Sequence, residues 1–137
     1  MELQELFNAM PFARHLGIEV TAVGDGTAHG RLELAEEHAS APGRSVAHGG
    51  VPYALADTIG GAAVMSRARR PTPTIDMRID YLAPSDGNRI EAAAELVRYG
   101  DSVAVAEVDV VDEDDTSVAR ARGVYKTGGG DGETAWG

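Results

Sequence analysis

The 137-residue chain has no cysteine, which removes disulfides, thiolate metal sites and cysteine nucleophiles together. Lysine is almost missing as well: Lys126 is the single one, and the other bases are arginines. Against 22 acids this leaves a formal net charge of -10, which disfavours nucleic acid as a partner, because non-specific binding there depends on Lys and Arg neutralising phosphates. No apolar run approaches the roughly 20 residues of a membrane span. The opening Met1-Glu2-Leu3-Gln4-Glu5 carries acids where a signal peptide carries bases. A soluble cytoplasmic protein without a membrane partner is expected. Abundant acids with arginine in place of lysine also suggest a halophile, the equal alternative being arginine-rich coding in an ordinary acidic protein. His15, His29 and His38 lie in separate segments without metal-ligand spacing, so no metal and no cofactor are expected.

The length fits one domain with a real core. Residues 3 to 10 read as a short helix stopped near Pro11, and 18 to 23 as a strand. Asp25-Gly26 favours a hairpin turn into a second strand over 27 to 34. A polar loop through Pro42-Gly43 leads to a long helix ending near Arg69, where Arg67, Arg69 and Arg70 suit the negative helix end and Pro71 and Pro73 prevent continuation. Ile75, Met77, Ile79 and Tyr81 then alternate with Asp76, Arg78 and Asp80, the pattern of a half-buried strand. Three further strand-length segments follow, 89 to 99, 103 to 111 and 118 to 126, which reads as a four-strand meander. The Gly-rich 128 to 137 reads as a disordered tail after a domain over 1 to 127, and Trp136 in it has no assigned role.

Inside the long helix stands the sequence's main anomaly. Pro52 fits a first helical turn, and Leu55, Ile59, Ala62, Ala63 and Met65 recur at helical spacing, yet Asp57 interrupts them. A charged side chain is seldom buried without a partner or a job. Ser45 and Ser66 lack a nucleophile elbow, so serine chemistry is not expected. Gly60 and Gly61 cost helix stability; close helix packing and room for an acyl chain would explain them equally well.

Several motifs resemble the PaaI-like acyl-CoA thioesterases. They are Pro11-Phe12 with His15-Leu16-Gly17-Ile18-Glu19, His48-Gly49-Gly50 with Leu55-Ala56-Asp57, Asp76-Met77 through Tyr81-Leu82-Ala83-Pro84, and Gly100 through Ala121 to Gly123. The resemblance implies an α+β hotdog fold, an antiparallel sheet wrapped around one long central helix. It also implies hydrolysis of an aryl or aliphatic acyl-CoA, with Asp57 as general base or nucleophile and the backbone N–H of Gly49 as oxyanion donor. Thr74 would hold the attacking water near the acid, and His48 and Gly50 would orient the turn. Two positions depart from the pattern. Pro42 stands where related enzymes often carry an Asn that positions the carbonyl, and Asp101 stands where a base often meets coenzyme A phosphates. Arg89, Arg98 and Lys126 are candidate replacements for the phosphate contact.

Gly49 and Asp57 are eight residues apart, or roughly 12 Å along a helix, so one thioester carbon cannot sit against both. Two antiparallel helices about a two-fold axis bring Gly49 of one beside Asp57 of the other. An obligate homodimer is therefore expected, and the resemblance extends this to a homotetramer. The competing expectation is an acyl-CoA-binding protein without catalysis, in which Asp57 is a hydrogen-bonded interface acid. A hotdog dehydratase fits less well, since His48 is the only histidine near the acid.

Overall fold

A computed structural model describes residues 2–128; the expected tail falls, beyond Gly128, outside the described residues. Among them no helix is long and apolar enough to cross a membrane. Helix α1 (Leu3–Asn8) buries Phe7, and Asn8 ties it to the first strand: its Oδ1 accepts from Val20 N at 2.7 Å and its Nδ2 donates to Val20 O at 3.0 Å. The structure corrects the reading of Pro11. Rather than only stopping a helix, Pro11 opens a second one, α2 (Pro11–Leu16), because at the first helical position the missing N–H would have had no acceptor. Gly17 ends α2 in the left-handed region at φ 88°.

Strands β1 (Ile18–Gly24) and β2 (Thr27–Glu33) form the expected hairpin. Asp25 and Gly26 have φ of 54° and 79°, as a two-residue turn with two left-handed positions requires. A single 3₁₀ turn (Glu36–His38) and a loop lead to α3 (Gly50–Ala68), which ends at a left-handed Arg69. Strands β3 (Thr74–Tyr81), β4 (Arg89–Tyr99), β5 (Val103–Asp112) and β6 (Ser117–Lys126) complete an antiparallel six-stranded sheet in the order β1-β2-β4-β5-β6-β3.

That order corrects the four-strand meander. Only β4, β5 and β6 meander; β3 crosses to the far edge and pairs with β6, while β4 takes the place beside β2. Burial explains the exchange. Strand β5 buries Ala104, Val105, Ala106, Val108 and Val110, whereas β3 buries Met77 alone, so β5 fits the sheet centre and β3 an edge. The inner face of the sheet is rich in alanine, with Ala28, Ala92, Ala94, Ala106, Ala119 and Ala121 buried. Small side chains let α3 lie close, and Leu55, Ala56, Ile59, Ala62 and Ala63 of the helix are fully buried against them. Each large side chain removed from water there contributes about 1.5–3 kcal/mol.

Candidate active site

The start of α3 is fixed from below by a buried histidine. His38 accepts from Ala35 N at Nδ1 (2.9 Å), so its Nε2 carries the proton of the neutral ring and donates to Leu16 O at 2.8 Å. Its own carbonyl accepts from His48 N at 2.8 Å. His15 and His29 are exposed and distant in sequence from this turn.

His48 then sorts the amides of the first helical turn. Its Nδ1 accepts from Gly50 N at 2.8 Å, and its carbonyl accepts from Val51 N at 2.9 Å. Pro52 has no N–H, and Tyr53 N donates to Gly49 O. Gly49 N–H is left without an acceptor among the described residues, at the end of the helix where the dipole favours negative charge. Tyr81 donates to Gly49 O at 2.7 Å and so holds the next peptide. A Cβ on Gly49 would stand 3.3 Å from that hydroxyl, tight for anything larger than glycine. Partial burial and then the nearby Tyr53 push the Tyr81 phenol above its ordinary range, so the hydroxyl stays a donor.

Two turns further on, Asp57 is half-buried. Its Oδ1 accepts from Thr74 Oγ1 at 2.8 Å and from the Tyr125 hydroxyl at 3.2 Å. Tyr125 also lies 3.2 Å from the Asp57 carbonyl. Thr74 and Tyr125 face one another across the β3–β6 ladder, where a bulge follows Thr74, so sheet register delivers both hydroxyls to one oxygen. Oδ2 has no partner among the described residues. Burial, then the Asp57 charge and the hydrogen bond to it, raise the Tyr125 phenol far above the usual tyrosine range, which keeps it protonated.

The sequence thus placed Asp57 with Thr74, and His48 with Gly49 and Gly50, in two clusters on one helix. Arg89 and Arg98 join neither. They sit at opposite ends of β4, roughly 30 Å apart at strand rise. Arg89 faces Glu91 at 3.4 Å and gives its backbone N–H to Glu113, while Arg98 folds over Gly100. Lys126 closes β6, its N–H on Pro73 O. Pro42 is exposed in the loop before the helix, and Asp101 is exposed at the β4–β5 turn. Sequence reasoning passed over Tyr125 and Tyr81. The available signal was the Gly60-Gly61 pair, whose space the structure fills with the Tyr125 ring.

A carboxylate tethered by one oxygen and open at the other can take a proton from water or attack a carbonyl carbon. An uncommitted amide at a helix N-terminus can stabilise an oxyanion. The chain is similar to several known proteins. The sequence model of the thioesterase superfamily matches residues 45–119. A Halobacterium salinarum protein provisionally named an esterase is 38% identical over 122 residues, 81% of this chain and 80% of its own. The Escherichia coli medium/long-chain acyl-CoA thioesterase YigI is 31% identical over 134 residues, 87% of this chain and 86% of its own. A mutant structure of the phenylacetic acid degradation protein PaaI from Thermus thermophilus superposes with a TM-score of 0.77 at 33% identity, covering 85% of this chain and 99% of that one.

Proposed function

Because the chain belongs to the thioesterase superfamily as a PaaI-like member with the hotdog fold, we propose that it hydrolyses acyl-CoA thioesters at a site shared by two copies. Asp57 of one copy is the general base or nucleophile, and Gly49 of the other supplies the oxyanion donor. As base, Asp57 Oδ2 takes a proton from a water held by Thr74. The water oxygen bonds to the carbonyl carbon, the C–S bond breaks, and the coenzyme A sulfur receives the proton back. As nucleophile, Oδ2 itself bonds to the carbonyl carbon, the C–S bond breaks and coenzyme A leaves as its thiolate; water then hydrolyses the mixed anhydride, freeing Asp57 and the acid, and the proton released goes to the thiolate.

One observation carries the reading: a carboxylate with one oxygen tied by two hydroxyls and the other open, on the same helix as an unclaimed N-terminal amide. The dimer has its own support. Strand β3 is a sheet edge, and Ile75, Tyr81 and Leu82 on and after it are 57%, 52% and 55% exposed. An edge strand with large apolar side chains needs a cover, and a second copy both covers it and completes the site. Pairing of such dimers gives the tetramer. The acyl group is aliphatic or aryl; YigI is named for medium- and long-chain acyl-CoA and PaaI for the degradation of phenylacetic acid.

Release of free thiol from a panel of acyl-CoAs tests the proposal, comparing wild type with Asp57→Asn at low and high salt. Loss of a positioned base predicts a fall of about 10²–10⁴ in kcat with the fold intact. Undiminished release by Asp57→Asn, or a folded dimeric wild type that releases no thiol from any substrate, overturns it. The second of these results would leave a binding protein.

A further inference from the structure

We propose that Tyr125 is a positioning residue for the reaction, one whose buried hydroxyl joins that of Thr74 on Asp57 Oδ1 so that Oδ2 alone is presented to substrate or water. The inference rests on the reading of Asp57 as the reactive group. The two donors differ in kind. Thr74 is exposed at a sheet edge, whereas Tyr125 is 1% exposed and held on three sides. Gly60 lies against its hydroxyl, Gly61 against one ring edge and Gly123 against the other, and a Cβ at Gly60 or Gly123 would overlap the phenol. The chain therefore gives up side chains at two buried positions, one of them inside a helix at a cost of about 0.5–1 kcal/mol relative to alanine, to admit a ring whose polar end reaches the acid. A phenylalanine would fill the same space without the hydroxyl. The tyrosine hydroxyl also spans Asp57 Oδ1 and the Asp57 carbonyl at 3.2 Å each, which fixes the side chain relative to its own backbone.

A donor on a carboxylate favours its ionised form, so the proposal has a signature that packing alone lacks. In Tyr125→Phe, the acidic limb of the kcat/KM against pH profile moves up by about one pH unit, in line with loss of one hydrogen bond to a charged group. At neutral pH kcat falls about tenfold while KM stays near wild type. Gly60→Ala offers an independent route, since its methyl displaces the hydroxyl and leaves the phenol present. It moves the same limb upward when introduced alone and adds no further shift to Tyr125→Phe. Should Tyr125→Phe fail to fold, the Gly60→Ala profile decides. An acidic limb that stays in place in the folded variant overturns the proposal, whatever happens to kcat. Asp57→Asn in the same assay separates the two claims. If it is inactive while the limb of Tyr125→Phe is unmoved, only the role of Tyr125 falls; if it retains full release, the reading of Asp57 falls and Tyr125 with it.

Discussion

On a largely apolar helix, two hydroxyls meet one oxygen of Asp57 and the other has no partner among the described residues. Each hydrogen bond to a charged group contributes about 1.5–3 kcal/mol, enough to offset much of the cost of partial burial. The shorter of the two comes from Thr74. Thr74→Ala should therefore lower kcat by about tenfold or more, and Thr74→Ser, which keeps the hydroxyl, should restore most of it. Steady-state thiol release checks this, and equal activity in Ala and Ser variants would remove the hydroxyl from the account. His38, in the 3₁₀ turn that precedes α3, makes a complementary case. It was legible only as a dispersed histidine, yet its ring bridges Ala35 and Leu16, and its carbonyl holds His48. His38→Ala removes two part-buried hydrogen bonds and empties the space of a buried ring, so it should cost about 1–3 kcal/mol in denaturant unfolding. A change below about 0.5 kcal/mol, the range of ordinary surface substitutions, would contradict that role.

The helix and the strand it faces are matched at the scale of elements. Gly61→Ala places a methyl 3.6 Å from the Tyr125 ring, an ordinary contact, and should stabilise the protein by about 0.5–1 kcal/mol through helix propensity. Gly60→Ala meets the Tyr125 hydroxyl and should destabilise by about 1–3 kcal/mol through overpacking. In the Tyr125→Phe background that penalty should shrink, because the nearest remaining atoms are Val108 Cγ2 at 3.3 Å and the ring carbon Cζ at 3.4 Å. Thermal or denaturant melts of the four proteins test the coupling, and an undiminished penalty would contradict it. Such tertiary complementarity is what sequence patterns carry least. Apolar period located α3 and β3, and Asp25-Gly26 located the hairpin, because these signals are local. The crossing of β3 to the sheet edge depends on how many faces each strand buries, and the donor pair on Asp57 depends on register between strands some 50 residues apart in sequence. Thr74 was legible through family resemblance alone. Tyr125 carried no comparable motif, and a glycine pair in a helix is as compatible with close helix packing or an acyl chain as with an aromatic ring from the sheet.

At the scale of the molecule, charge and association both matter. The net charge of -10 meets few internal partners: the ion pairs among the described residues are Arg31 with Glu19, Arg89 with Glu91 and Arg120 with Asp109, all substantially exposed and each worth about 0–1 kcal/mol. Self-repulsion among the acids should therefore be relieved as the screening length falls from about 10 Å at 0.1 M salt to about 3 Å at 1 M. Melting temperature should rise with KCl over that range, and a flat or falling curve would contradict it. Association is the more consequential property, since the proposed chemistry needs Gly49 and Asp57 from different copies. Gly49 has φ of -56°, which proline can adopt, so Gly49→Pro removes the oxyanion N–H on an allowed backbone once the Tyr81 hydroxyl, 3.3 Å from the new Cβ, gives by a few tenths of an ångström. The decisive measurement unfolds Gly49→Pro and Asp57→Asn together, refolds the mixture and assays thiol release. Each variant alone should be inactive, while the mixture should regain about a quarter of wild-type activity, because half of randomly paired dimers hold one intact site of two. A mixture as inactive as its parents, with mixed dimers present by mass spectrometry, would contradict a site built from two chains.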